Sequence, residues 1–118
     1  MASGSAAIAQ SPDCGDGIPL DQVERPNVGG FLDVAIVGED PGSSVNVRAE
    51  PTLASAVVLQ VRVGDRLFAS ARQYAPDSGG AAPGAVCELW YLVQATELLG
   101  WVRGDLIGVD DVAWSRQP

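Results

Sequence analysis

Residues 57–71 read Val-Val-Leu-Gln-Val-Arg-Val-Gly-Asp-Arg-Leu-Phe-Ala-Ser-Ala, and their alternation decides the fold class. Val57, Leu59, Val61 and Val63 fall every second residue, with Gln60 and Arg62 between them. Successive side chains of a strand point to opposite faces, so this pattern is a strand with one apolar side. Gly64-Asp65 then supplies a turn, because glycine tolerates positive φ. Leu67, Ala69 and Ala71 continue inward on the next strand, against Arg66, Ser70 and Arg72 outward. The unit is a strand, a turn and a second strand.

Upstream, Phe31 to Val37 is an apolar run interrupted by Asp33, which suits a buried strand. Val45 and Val47 alternate with Asn46 and Arg48, and Pro51 forces Glu50 towards an extended conformation that begins a loop. Downstream, Leu89, Tyr91 and Val93 share one face, with Glu88, Trp90 and Gln94 on the other. Gly100-Trp101-Val102-Arg103 pairs back after a turn near Thr96 to Leu99. Gly104-Asp105-Leu106 predicts a 3₁₀ turn before a last strand at Ile107 to Val109. Five to six short antiparallel strands joined by glycine turns make an all-β barrel or sandwich.

The flanks read differently. Residues 1–30 are broken by Pro12, Gly15, Gly17, Pro19, Pro26 and Gly29-Gly30, and form an irregular N-terminal arm. Met1-Ala2-Ser3-Gly4-Ser5 has the look of a leader or a truncated segment, extending at most to Ala9. Residues 75–86 are a loop of low complexity, and 110–118 a polar C-terminal tail with one isolated tryptophan.

The chain has 118 residues, one domain's worth, and 47% apolar residues are enough for a core. Fifteen carboxylates against seven arginines give a formal charge of −8, with no lysine and no histidine. Such a surface repels phosphate backbones and anionic lipid, so neither nucleic acid nor membrane insertion is expected. The absence of histidine removes the usual general base near neutral pH, the commonest zinc ligand and every Ser-His-Asp arrangement. The adjacent carboxylates Glu39-Asp40 and Asp110-Asp111 point to opposite faces in a strand and lack calcium-loop spacing, so they read as solvated surface. No enzyme, cofactor or metal is expected.

Four fragments carry a resemblance when taken together: Ser44-Val45-Asn46-Val47-Arg48, Val63-Gly64-Asp65-Arg66, Trp90-Tyr91-Leu92-Val93 and Gly100-Trp101-Val102. In this order they resemble the bacterial SH3-like domain, a small β-barrel of envelope and secreted proteins, over about residues 31–109. The resemblance selects the barrel and implies an extracytoplasmic module (secreted, periplasmic or at the cell surface) within a longer exported protein. It also implies a binding role, with a peptide-like or peptidoglycan-like ligand or a protein partner.

In resembling domains, exposed aromatics line ligand grooves. Alternation puts Trp90 outward, so it either lines such a groove or packs under the arm or the long loop. Tyr74, at the entrance of the loop, is a further groove candidate, and Trp101 is either structural beside the last turn or part of the groove. Asn46, Arg48, Gly64 and Gly100 read as structural: Asn46 and Arg48 secure the following loop, and Gly100 leaves room for an indole. Cys14 and Cys87 are either two unrelated buried thiols or a disulfide. Pairing suits an extracytoplasmic family and would close a loop of about 70 residues, stabilising by roughly 4 kcal/mol. A second role remains open, that of an assembly domain whose groove is covered by its own arm or loop.

Overall fold

Two strands meet at Gly64 as the alternation requires, and that glycine has φ +104°. Asp65 closes the turn by accepting the Arg62 amide on its carboxylate at 2.9 Å. A computed structural model describes residues 13–14, 18–19, 22–76 and 87–116 of the chain. Among them, β1 (Asp13–Cys14) and β2 (Ile18–Pro19) form a separate two-stranded antiparallel pair. The other nine strands are β3 (Glu24–Pro26), β4 (Leu32–Ile36), β5 (Ser44–Arg48), β6 (Val57–Arg62), β7 (Arg66–Pro76), β8 (Cys87–Ala95), β9 (Leu98–Arg103), β10 (Ile107–Gly108) and β11 (Trp114–Arg116). They form one antiparallel sheet with the order β10-β4-β7-β8-β9-β5-β6, while β3 pairs with both β7 and β11. The domain is all-β. The path is open, because no ladder joins β6 to β10.

The sheet curls so that one face becomes the core. Val34, Ile36, Val47, Val93 and Val102 are fully buried there. Each such side chain contributes on the order of 1.5–3 kcal/mol relative to exposure. The Val63–Asp65 turn is tied to β4 by Ile36 N–H donating to the Asp65 carbonyl and Gly64 N–H to that of Ile36, both at 2.8 Å. The 3₁₀ turn Gly104–Leu106 falls where the sequence places it and leads into β10, which pairs with β4.

Two expectations are corrected by the ladder. In β6 the register shifts between Val47 and Arg48, which leaves Val57 and Val58 on the exposed side, at 44% and 40%. In β7 it shifts again between Ala69 and Ala71, with Ser70 as the extra residue. Each bulge inverts the alternation beyond it. Arg72, read as outward, therefore points inward and is 9% exposed.

The flanks are also more ordered than their composition suggests. Glu24–Pro26 of the arm and Trp114–Arg116 of the tail pair with each other as β3 and β11. Asn27 fixes the junction, its backbone N–H donating to the Ala113 carbonyl at 2.7 Å and its side-chain amide to that of Val112 at 2.8 Å. Ala75 and Pro76 belong to β7, opposite Glu88 and Cys87, rather than to the loop. Residues 77–86 and the side chain of Cys14 lie outside the described residues, and so does the expected Cys14–Cys87 pairing.

Candidate functional site

Trp90 lies on the β8 face opposite Leu89, Tyr91 and Val93, as alternation predicts, yet it is only 2% exposed. The expectation of an exposed indole is thus corrected. A cleft of about 230 Å³ opens between β5, the loop after it, β8, β9 and the 3₁₀ turn. Asn46, Arg48, Leu53, Trp90, Arg103 and Leu106 line it. Trp90 stands directly across from Arg103 in the β8–β9 ladder, so the two side chains share this face. The indole Nε1 is buried and has no hydrogen-bond partner among the described residues.

The rim is held by polar contacts. The Arg48 guanidinium donates from Nη1 to the carbonyl oxygens of Leu53 at 3.0 Å and Ser55 at 2.8 Å. The Ser55 hydroxyl accepts the Glu50 amide at 2.9 Å, and Ala49 N–H donates to the Ala56 carbonyl at 2.9 Å. Arg48 thus secures the loop through its carbonyls. Asn46 Oδ1 accepts from Gln60 Nε2 at 2.9 Å across the β5–β6 ladder. Arg103 Nη2 meets Glu88 Oε1 at 3.2 Å, and its Nε lies 3.4 Å from Asp105 Oδ1 without hydrogen-bond geometry. Arg48→Ala removes two bonds from a charged donor and is expected to cost about 1 kcal/mol. Hydrogen exchange should then accelerate at the Ala49 and Glu50 amides, and unchanged protection there would disprove the anchoring role.

The three aromatic candidates are only partly brought together. Trp101 is half-buried, stands opposite Leu92 and next to Arg48, and shares the outer face with Trp90. Tyr74 is half-buried opposite Leu89, whereas its neighbour Gln73 is the residue opposite Trp90. Tyr74 and Trp90 therefore lie on opposite faces of the β7–β8 ribbon and cannot form one groove wall. Gly100 lies at a close crossing of strands. A Cβ there would meet Val47 Cγ1 at 2.5 Å and the Arg48 carbonyl oxygen at 2.9 Å, so this glycine lets β5 cross β9.

No protein-family model matches the chain, and no curated protein or solved structure matches it either. A role must be argued from the geometry. Among the described residues, no group of three or more His, Cys, Asp or Glu side chains is placed to hold a metal ion. Among the same residues no helix is long and apolar enough to cross a membrane.

A second side-chain cluster went unread in the sequence. The Arg72 guanidinium lies 5.0 Å from the Trp114 ring centroid and 5.7 Å from that of Tyr91, and Nη1 donates to the Tyr91 hydroxyl at 2.9 Å. Its Nε pairs with the Glu24 carboxylate. Tyr91 and Trp114 meet edge-on with centroids 5.4 Å apart. The cluster ties β3 and β11 onto β7 and β8. Arg103, Leu53 and Leu106 were also missed; for Arg103 a signal existed, since pairing Trp-Tyr-Leu-Val against Gly-Trp-Val-Arg in register sets it across from Trp90.

Proposed function

We propose that the chain is a non-catalytic, extracytoplasmic binding module on an SH3-like barrel, which takes a peptide-like envelope ligand or a partner protein's segment at the Trp90 cleft. One observation carries the reading. A buried indole N–H without an acceptor lies in a cleft rimmed by side-chain donors and a loop. An unsatisfied buried donor costs about 1–3 kcal/mol. A ligand carbonyl or carboxylate that reached the N–H as the loop opened would offset that cost. The barrel reading draws on the strand order, the turn at Gly64 and the 3₁₀ turn ahead of β10. A Cys14–Cys87 disulfide and residence in a longer exported protein belong to the same reading.

The alternative, an assembly domain with a covered groove, draws on the 2% exposure of Trp90. The described lining of the cleft comes from residues 44–106 and includes no described residue of the arm. NMR titration with muropeptides and with a pool of short peptides separates the two. Binding at the cleft predicts saturable shifts at the Trp90 indole N–H, Asn46, Leu53 and Arg103, lost in Trp90→Phe. Titrations without shifts at these four residues would refute the cleft as a ligand site.

A further inference from the structure

An outer sheet face that meets only water is ordinarily polar. The face formed by β7, β8 and β9 is not. Phe68 stands opposite Gln94, which stands opposite Leu99, and in the adjoining row Leu92 stands opposite Trp101. Phe31, just ahead of β4, meets Phe68 edge-on with ring centroids 6.4 Å apart. Phe31, Phe68 and Leu99 are 51%, 56% and 54% exposed. At one margin an open hollow of about 460 Å³ is lined by Arg66, Phe68, Gln94 and Thr96. Single exposed apolar residues are ordinary, but a contiguous patch with two aromatic rings marks an interaction surface.

Charge decides what covers it. Asp33 stands opposite Phe68 on the same face but is paired with Arg66 at 3.1 Å, whereas Glu97 lies exposed in the turn just before Leu98 and Leu99. Glu97 has no ion pair among the described residues. Six of the chain's seven cations are already engaged. Arg25, Arg48 and Arg62 donate to backbone carbonyls, and Arg66, Arg72 and Arg103 pair with carboxylates. The seventh, Arg116, stands opposite Glu24 in the β3–β11 ladder, and residues 1–21, 77–86 and 117–118 contain no lysine or arginine. A second copy brings another −8 and is repelled.

We propose that the outer face of β7–β9 docks a basic amphipathic segment of a partner protein, with apolar side chains over Phe31, Phe68 and Leu99 and a cation beside Glu97. The surface adjoins the Trp90 cleft but does not depend on it, and Phe68 and Leu99 do not line that cleft.

The probe is a strand-length synthetic peptide alternating leucine and lysine, with its leucine–glutamate counterpart as control, titrated into the full chain by NMR. The lysine peptide should give saturable shifts at Phe68, Gln94, Leu99 and Trp101. Phe68→Ser/Leu99→Ser, which leaves the net charge unchanged, should weaken it about tenfold or more. Glu97→Gln, which removes the unpaired carboxylate, should weaken it about twofold to fivefold and flatten the salt dependence. Equal binding of the glutamate peptide would overturn the proposal, as would shifts scattered over the acidic surface and indifferent to Phe68→Ser/Leu99→Ser. Sedimentation showing a wild-type dimer that this variant dissolves would assign the face to a second copy and overturn it too.

Discussion

Gly100→Ala is expected to lower the unfolding free energy by about 3 kcal/mol or more, at the upper end of what overpacking costs. The added methyl would lie 2.5 Å from Val47 Cγ1, 2.9 Å from the Arg48 carbonyl oxygen and 3.1 Å from Val58 Cγ2. Val47 is 1% exposed, with no space into which to retreat. The carbonyl belongs to the backbone of β5 at the residue paired with Trp101, so relief requires the β5–β9 crossing to widen. A wider crossing also opens the cleft rim, because Arg48 is the anchor of the 49–56 loop.

Gly64→Ala is the informative contrast. Nothing lies within 4 Å of a Cβ at Gly64, and its handicap is only φ +104°. That conformational strain is worth roughly 1–3 kcal/mol. Chemical denaturation of the two variants tests the steric account. If Gly100→Ala lost no more stability than Gly64→Ala, the close crossing of β5 over β9 would be wrong.

How far the fold could be read from residues alone depends on where alternation holds. It holds through Val45 and Val47 in β5, through Val34 and Ile36 in β4, and through Tyr91 and Val93 in β8, and all six are buried. Turn chemistry was equally legible at Gly64, where positive φ is needed, and at Gly104–Leu106. Alternation fails at Ser70 and Val58, because a bulge costs one residue and has no composition of its own. That single inserted residue moves Arg72 from solvent to the interior.

The candidate site was harder to read for a related reason. Period two gives the face of Trp90 correctly, but burial on that face depends on whether another part of the chain folds over it. Arg48 holding the loop that carries Leu53 is a contact over sequence separations of five and seven residues. The β3–β11 pair joins residues almost at opposite ends of the chain, with Trp114 opposite Pro26. Proline cannot donate from its nitrogen and is confined within sheets to edges and strand starts. Its presence in the arm therefore read as a break, whereas Pro26 ends a short strand. The acidic balance was legible as a global exclusion, but the docking face of β7–β9 needed the register, which places Phe68 and Leu99 in one row.

Arg72→Met is expected to destabilise the domain by about 3–5 kcal/mol, the cost of breaking a buried ion pair from one side. Arg72 and Glu24 side chains are 11% and 16% exposed, so neither is well screened by water. Removing the guanidinium leaves the Glu24 carboxylate without this partner and takes a donor from the Tyr91 hydroxyl. It also removes the cation lying against Tyr91 and Trp114, an interaction worth about 0.5–2 kcal/mol depending on desolvation. Glu24 is the one residue through which β3 pairs with β7, so the loss should spread to β3 and to its partner β11. The double substitution Arg72→Met/Glu24→Gln removes both charges and should recover a large part of the deficit, because the penalty lies mainly in the carboxylate left behind. A double-mutant cycle by urea denaturation reads the coupling directly. If Arg72→Met stays within about 1 kcal/mol of wild type, or the double variant is as unstable as the single one, the charge pair is not what fastens the two ends of the chain to the sheet. In that case the aromatic contact of Tyr91 with Trp114 must hold them without it, and Trp114→Ala becomes the substitution that frees β3 and β11.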